Sequence, residues 1–228
     1  MVLKVNIVTL YPQMFPGFLS ESLSGKALLN KYWQLNIVNI RDFATDKHRS
    51  VDDTPAGGGA GMVLRADVMA AAIDSIKESG PRFLMSPRGQ VFNQDLAKKI
   101  STYENLTLIC GRFEGIDQRV IEKRKLHELS IGDFILSGGE AAAFVVLDSV
   151  IRLLLGTMGN TASAQCESFE NHLLEYPQYT RPRIFEDCEI PEVLLNGNHK
   201  NIEKWRYEQS LLVTKKRRPD LYKLHKNL

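Results

Sequence analysis

Residues 84–89 read Leu-Met-Ser-Pro-Arg-Gly, residues 108–115 read Leu-Ile-Cys-Gly-Arg-Phe-Glu-Gly, and residues 129–139 read Leu-Ser-Ile-Gly-Asp-Phe-Ile-Leu-Ser-Gly-Gly. These segments, called here the first, second and third loops, each place glycine beside an apolar run. The runs Arg82–Met85 and Leu106–Cys110 indicate buried parallel strands. Because ligands bind at the carboxyl ends of parallel strands, we expect the three loops to meet at one ligand site.

Glycine at such a site lets backbone N–H and C=O groups approach a ligand with no Cβ in the way. A pocket of main-chain donors and acceptors suits a purine base better than a bare phosphate. Each glycine alone is more simply explained by turn chemistry, so it is the agreement of three loops that favours a nucleotide-like ligand. The chain has no G-x-x-x-x-G-K-[ST] motif, which counts against a P-loop NTPase. The cluster Gly57–Gly61 follows a polar run rather than a strand, which counts against a Rossmann turn.

The first two-thirds of the chain alternates predicted strands and helices. Apolar runs predict strands at Leu3–Leu10 and Leu35–Ile40, with a helical stretch near Ser20–Tyr32 between them. A helix is predicted at Asn93–Ile100, with its first residue as the N-cap. This alternation predicts an α/β domain with a mainly parallel sheet over residues 1–158.

The remaining segments predict a buried helix, a linker and a small second domain. Residues 140–155 read as a helix that is apolar nearly all round, which must be buried in the core or against a second subunit. Residues 159–170 are predicted to form a flexible linker. A helical C-terminal domain over 171–228 is predicted from four positions at helical spacing: Ile202, Trp205, Gln209 and Leu212.

Composition favours a cytoplasmic protein with no membrane partner. The 228 residues are 43% hydrophobic, which is enough for one sizeable core or for one ordinary domain plus a small one. Three cysteines without a C-x-x-C pair favour a reducing compartment. No secretory signal is visible, and the most apolar window, Ala141–Leu155, is shorter than the roughly 20 residues of a membrane span.

The net charge of +2 is unevenly distributed. Residues 199–228 carry nine Lys or Arg against three acids, a net of +6, which leaves −4 on the preceding 198 residues. A basic terminal region on a mildly acidic body favours a polyanion bound at one end. For the run Lys215-Lys216-Arg217-Arg218 alone, phosphate contact and simple solvation are equally good interpretations.

The sequence closely resembles the bacterial tRNA (guanine-N1)-methyltransferase family of the SPOUT class, whose members modify the guanosine at tRNA position 37, just 3′ of the anticodon. The match covers nearly the whole chain. Besides the three loops it includes Arg41-Asp42-Phe43, Asp46–Arg49, Val51–Asp53, Gly57–Met62, Glu167-Ser168-Phe169, Tyr176–Pro182, Gly197–His199 and Trp205-Arg206. The resemblance implies a homodimer, and a deep trefoil knot around the second and third loops that general topology rules would not predict.

Family members bind S-adenosylmethionine in the knotted loops, mostly through backbone groups. Carried over residue by residue, the resemblance implies a cofactor site of Ser86, Pro87, Gly89, Gly111, Phe113, Glu114, Ile131, Gly132, Asp133, Phe134, Ile135, Leu136, Gly138 and Gly139. The family usually has tyrosine at position 113, and a main-chain and ring-face contact should tolerate the absence of the hydroxyl. No His or Cys spacing indicates a metal site such as structural zinc, while the sequence leaves open a Mg²⁺ ion assisting at Glu114.

The reaction that the resemblance implies is attack of guanine N1 on a sulfonium methyl group. N1 carries a proton at neutral pH, so a base must remove it while charge develops on O6. The family's base is the carboxylate of a [DE]-S-F motif, here Glu167, where well-known members carry aspartate. The family's arginine near the acceptor corresponds to Arg152. Without the family, Glu167 is one acid among several solvated ones, and Arg152 is a helix C-terminal arginine favoured by the macrodipole.

The resemblance also implies a surface for the anticodon stem-loop of tRNA. Its residues are Lys47, His48, Arg49, Gly57, Gly58 and Gly59, and the basic run Lys215, Lys216, Arg217 and Arg218 is its C-terminal complement. Glycines permit close approach to unstacked bases, and Lys and Arg side chains meet phosphates. Taken alone, residues 46–61 are more commonly explained as a charged loop that ends in a flexible turn.

Two other functions stay open at this level. A knotted RNA ribose 2′-O-methyltransferase would share the pocket but would need no base for N1. A non-catalytic RNA-binding protein would keep the basic C-terminus beside an inactive pocket, but the three intact loops and Glu167 argue against it.

Overall fold

The computed structural model describes residues 2–158 and 167–227. The chain divides into two compact units, Met1–Gly159 and Asn160–Leu228, called here the N-terminal and C-terminal units. The linker predicted at 159–170 lies outside the described residues as far as residue 166.

The N-terminal unit is built from alternating strands and helices. Its strands are β1 (Leu3–Thr9), β2 (Trp33–Asn39), β3 (Asp52–Asp53), β4 (Val63–Leu64), β5 (Arg82–Val91), β6 (Asn105–Cys110) and β7 (His127–Ser130). Its α-helices are α1 (Ser22–Leu29), α2 (Ala66–Asp74), α3 (Gln94–Ile100), α4 (Gln118–Lys123) and α5 (Gly139–Ile151).

Five of these strands form one parallel sheet in the order β2-β1-β6-β5-β7. The short strands β3 and β4 pair separately and antiparallel. All five carboxyl ends lie at one edge of the large sheet, where the first loop, within β5, is a neighbour of the segments that follow β6 and β7. The predicted α/β fold with a mainly parallel sheet is confirmed.

Apolar side chains cover both faces of the sheet. On one face Leu3, Val5 and Ile7 of β1 pack in a buried cluster with residues of α1, α3 and α5. On the other face Val8 packs in a second cluster with residues of α2 and α4. Because successive strand residues point to opposite faces, a continuous apolar run is what a sheet covered on both sides requires.

Several boundaries differ from the sequence predictions. Strand β5 continues beyond Met85, and its register to β7 shifts between Met85 and Gln90, so the first loop is a bulge inside a strand. Helix α5 ends at Ile151, and Leu155 is 91% exposed rather than buried. The predicted N-cap is observed, since the Asn93 side chain accepts a hydrogen bond from the Leu96 N–H at 2.9 Å.

The described part of the C-terminal unit contains a short hairpin and two helices, β8 (Ile184–Phe185), β9 (Cys188–Glu189), α6 (His199–Arg217) and α7 (Pro219–His225). The helical spacing predicted for α6 is present, but Leu212 on that face is 59% exposed. The buried side chain near this end of α6 is instead that of the polar residue Thr214. The Thr214 hydroxyl donates to the Ser210 carbonyl oxygen at 2.6 Å and accepts from the Leu174 N–H at 2.8 Å.

Candidate functional site

A cavity of about 420 Å³ opens at the carboxyl edge of the sheet, between the three loops. Its volume is in the range of pockets that bury a small-molecule ligand. The cofactor residues predicted from the sequence line it, with two exceptions: Gly89 and Asp133 are not among the lining residues. Gly89 instead lies against the backbone of Glu128 and Leu129 in β7, where a side chain would collide with the neighbouring strand.

The second and third loops touch through their backbones. The Gly139 N–H donates to the Gly111 carbonyl oxygen at 2.9 Å. A Cβ on Gly139 would stand 2.8 Å from the Cys110 Cα and 3.0 Å from the Met85 Cβ, closer than side chains pack. Glycine at position 139 is therefore what allows the start of α5 to reach the ends of β5 and β6.

The second loop turns through a left-handed residue, Phe113, at φ 58°, and its ring is 53% exposed beside the cavity. The Glu114 N–H donates to the Met62 carbonyl oxygen at 3.0 Å. A Cβ on Gly61 would stand 2.5 Å from the Glu114 side chain. Gly61, at the end of the predicted glycine cluster, thus packs against the Glu114 side chain. This contact explains why a glycine is needed at position 61.

A second carboxylate, that of Glu128 on β7, lines the cavity and was not predicted from the sequence. Its Oε1 accepts from the Ser86 hydroxyl at 2.8 Å and from the Arg88 guanidinium at 3.0 Å. Glu128 precedes Leu129 in the short strand β7, whose sequence His-Glu-Leu-Ser carries no periodic signal that could have identified it. The predicted residue Ser86 therefore positions an acid in addition to lining the cavity.

The third loop covers the cavity with apolar side chains. Phe134, Ile135 and Leu136 line the cavity and are also partly solvent-exposed, Ile135 by 83%. The turn begins at Gly132, whose φ of 141° favours glycine, and whose N–H is held by the Ser130 hydroxyl at 3.2 Å. An apolar wall beside backbone groups suits a ligand with a flat apolar part. The cavity also presents charges of both signs through Glu114, Glu128, Arg88 and Arg112.

A largely buried ion pair borders the cavity, and its arginine, Arg112, is one of the lining residues. Arg112 Nη2 is 2.8 Å from Glu140 Oε2, and the Thr9 hydroxyl donates to Glu140 Oε1 at 2.7 Å. Beside this pair, burial raises the pKa of the Cys110 thiol well above its usual range, and the Glu140 carboxylate adds to the rise. The thiol therefore stays protonated and is no candidate nucleophile.

The two predicted catalytic residues lie in different units. Arg152 follows the last residue of α5, and its Nη2 lies 3.6 Å from the Met158 sulfur. Glu167 is half-buried, and its carbonyl oxygen accepts from the Glu170 N–H at 3.4 Å. The neighbouring Ser168 hydroxyl accepts from the Glu175 N–H at 3.0 Å, which fixes the segment that carries Glu167.

The predicted RNA-contacting loop is exposed at Lys47, His48 and Arg49. Its shape depends on Asp46, whose side chain accepts from the backbone N–H groups of His48 and Ser50 at 3.0 and 2.9 Å. Partial loss of solvent would raise the pKa of Asp46, but the hydrogen bonds from Ser50 and His48 lower it below its ordinary value. The carboxylate is therefore a stable organiser of the three exposed side chains.

The glycines of the cluster differ in their surroundings. Gly57, Gly58 and Gly59 have φ of 90°, 81° and 125°, in the region that glycine favours. A Cβ on Gly57 or Gly58 would meet nothing within 4 Å. Backbone conformation rather than crowding therefore explains these two glycines, and their surface is open to a partner.

The basic run at the end of α6 is exposed from Lys215 to Arg218. Arg218 differs from the others, since its guanidinium binds the Asp220 carboxylate at 2.6 Å. The same hydrogen bonds raise the pKa of Arg218 and lower that of Asp220. Asp220 thus partly neutralises the last charge of the run.

Within residues 2–158 and 167–227, no group of three or more His, Cys, Asp or Glu side chains could hold a metal ion. In the same part of the chain, no helix has the length and apolarity needed to cross a bilayer.

The chain matches known proteins over nearly its whole length. Residues 3–224 match the family described as tRNA (Guanine-1)-methyltransferase TrmD. A Bartonella tribocorum protein named tRNA (guanine-N(1)-)-methyltransferase is 63% identical over 222 residues, covering 97% of this chain and 96% of the relative. Proteins with the same name from Mesorhizobium japonicum and Rhizobium etli are 59% and 57% identical, covering 99% and 97% of this chain and 98% and 96% of the relatives.

Proposed function

Because this chain belongs to the tRNA (guanine-N1)-methyltransferase family, we propose that the three-loop cavity binds S-adenosylmethionine for methylation of N1 of the guanosine at tRNA position 37. The observation that carries the proposal is the convergence of the three loops on one cavity of about 420 Å³. The enzyme class and the tRNA substrate follow from the family, while the residue roles and the position are our proposal.

The cavity residues fit this cofactor. Gly111 lines the cavity without a side chain, and a Cβ there would meet only the Leu84 side chain at 3.9 Å, so backbone of the second loop can approach a purine edge. Glu114 adds a carboxylate that complements a sulfonium or an ammonium group, while Glu128 is already paired with Arg88. Bound there, S-adenosylmethionine supplies a methyl group on a positively charged sulfur.

The protein's own contribution to the chemistry is proton removal and charge stabilisation at guanine. Glu167 takes the N1 proton, because a carboxylate in the [DE]-S-F motif is the family's base and its segment is held by Ser168. Arg152 stabilises the negative charge that develops on O6. Separate residues thus accept the N1 proton and stabilise the charge on O6.

The anticodon stem-loop binds the exposed loop Lys47–Arg49 and Gly57–Gly59, and the basic run 215–218 binds phosphates. The concentration of positive charge after residue 199 supports the second interaction. The open surface around Gly57 and Gly58 supports close approach of unstacked bases.

We also propose that the protein is a homodimer and that its second and third loops are threaded as a trefoil knot. Exposed apolar groups on the N-terminal unit support a dimer: Val145 on α5 is 45% exposed, and Phe18, against Phe144, is 58% exposed. The knot rests on the family resemblance, and the direct hydrogen bond from Gly139 to Gly111 is consistent with it.

The test is transfer of labelled methyl from S-adenosylmethionine to tRNA, followed by nucleoside analysis. The proposal predicts 1-methylguanosine, and its loss from a tRNA with G37 replaced by adenosine. A 2′-O-methylated nucleoside would assign ribose methylation instead. Binding of tRNA without any transfer would indicate a non-catalytic RNA-binding protein.

A further inference from the structure

The sequence predicted no role for Arg112, which follows Gly111 in the second loop. In the structure its side chain contacts several segments around the cavity. Its guanidinium forms the ion pair with Glu140, and Nη1 donates to the Ser137 carbonyl oxygen at 2.9 Å. The group also lies over the Tyr11 ring, 4.5 Å from its centroid. One side chain thus joins the second loop, the third loop, α5 and the segment after β1.

The hydrogen bond to Ser137 is the one that reaches the cavity wall. Ser137 lies between Leu136 and Gly138, and all three line the cavity. Arg112 and Gly138 also form an antiparallel backbone bridge. A Cβ on Gly138 would collide with Nε and Cδ of Arg112, so glycine at 138 is required by the arginine side chain.

Glu140 fixes the arginine in turn. Its side chain is 1% exposed, and its second oxygen is held by Thr9. Arg112 is 17% exposed, so both charges are largely withdrawn from water and neither can leave without stranding the other. The guanidinium is therefore held in one orientation, in which its planar group binds the Glu140 carboxylate and the Ser137 carbonyl oxygen at the same time.

We propose that Arg112 is a positioning residue that holds the third loop in its cofactor-binding shape, by fixing the Ser137 carbonyl relative to Glu140. This inference rests on the proposed cofactor site. Arg112 need not touch the cofactor for this role. Arg112 fixes the position of the backbone of residues 131–139. It thereby fixes the hydrogen-bonding groups of that backbone that face the cavity.

The alternative is that the ion pair only stabilises the fold. Arg112→Lys separates the two roles, because an ammonium can pair with Glu140 but cannot reproduce the fork that spans Glu140 and Ser137. A second variant, Arg112→Met with Glu140→Gln, removes both buried charges together and so avoids a stranded carboxylate.

The first measurement is amide hydrogen exchange in the 131–139 segment of the full chain without ligand. We expect faster exchange at Phe134 and Gly139, whose N–H groups bond Gly132 and Gly111, in both variants. Exchange in β1 and β6 should be unchanged. Unaltered exchange in 131–139 would overturn the inference, whatever the cofactor affinity.

The second measurement is calorimetric binding of S-adenosylmethionine. Loss of a charge-assisted hydrogen bond that organises the site should raise the dissociation constant by about 10- to 100-fold in both variants. The KM for tRNA should change little. Wild-type affinity in a folded Arg112→Lys protein would contradict the inference. Failure of the unsubstituted chain to bind the cofactor would instead contradict the proposed function.

Discussion

The Gly139 N–H donates to the Gly111 carbonyl oxygen at 2.9 Å, which joins the second and third loops at the floor of the cavity. The two glycines nevertheless stand in different surroundings. A Cβ on Gly139 would meet backbone at 2.8 Å, whereas on Gly111 its nearest neighbour would be the Leu84 side chain at 3.9 Å. Substitution at the two positions should therefore have different effects.

Gly111→Val should leave a folded protein that no longer binds S-adenosylmethionine, because the added methyl groups occupy the cavity side of the loop. Gly139→Val should lose binding and also unfold at a lower temperature, because its Cβ collides with the Cys110 backbone. Calorimetry and thermal unfolding check the pair. Normal cofactor affinity in both variants would contradict the cavity assignment.

Glu167→Gln keeps size and hydrogen bonding but removes basicity, so single-turnover methylation at saturating tRNA and cofactor should fall about 10²–10⁴-fold. Glu167→Asp is the matched control and should retain far more activity. Cofactor affinity should be nearly unchanged in both. A rate for Glu167→Gln within a few-fold of wild type would exclude Glu167 as the base.

In the same assay Arg152→Ala should slow methyl transfer by about 10²–10³-fold, because the charge on O6 loses its electrostatic partner. Cofactor binding should change less than the rate does. A normal rate would exclude Arg152 as the group that stabilises the charge on O6.

Replacing Lys215, Lys216 and Arg217 with glutamine should flatten the salt dependence of tRNA binding. The slope of log K against log salt should fall by up to ~0.7–0.9 for each phosphate that the run no longer binds. Arg218→Gln is the control and should change the slope less than a substitution at Lys215, since Asp220 already binds its guanidinium. A slope unchanged in the triple variant would mean that the run faces solvent.

Asp74→Asn should lower the free energy of unfolding at pH 7 by about 0.2–1 kcal/mol, as expected for a solvent-exposed pair. Hydrogen bonds from Arg124, at 2.6 and 3.2 Å, lower the pKa of Asp74. The stabilisation is therefore present above the ordinary carboxyl pKa of about 4 and disappears as pH falls through the lower folded value. Urea unfolding from pH 7 downward should show the difference in unfolding free energy between wild type and Asp74→Asn shrinking.

Val145→Asp should convert the proposed dimer to monomers, because it places a charge on the exposed apolar side of α5 without entering the core. Leu29→Asp, at a residue 82% exposed on α1, adds the same charge elsewhere and should leave assembly intact. Sedimentation at micromolar concentration measures both. An active wild-type monomer would exclude the dimer.

The parallel sheet could be predicted because its central strands are buried on both faces and read as apolar runs. Strand β7 was missed because it lies at the sheet edge, has only four residues and begins with two polar ones, His127 and Glu128. Helices α2 and α4 were also not predicted. Each is short, nine and six residues, and is buried by packing against segments distant in sequence.

The cavity could be located from the loops, but its buried support could not. Arg112 binds Ser137 and Glu140, 25 and 28 positions away, and Thr9 completes the network from the first strand. No spacing rule links such positions, since the sheet order alone brings β1 beside β6. The family resemblance predicts roles for residues at the cavity surface. The network of Arg112, Glu140 and Thr9 is seen only in the structure.

The buried hydroxyl of Thr214 connects α6 to another segment of the C-terminal unit. It is the residue before Lys215, and it ties the last turn of α6 to Leu174. The next residue, Glu175, is tied in turn to Ser168, beside Glu167. Two hydrogen bonds therefore connect the end of α6 that carries the basic run with the segment that carries Glu167.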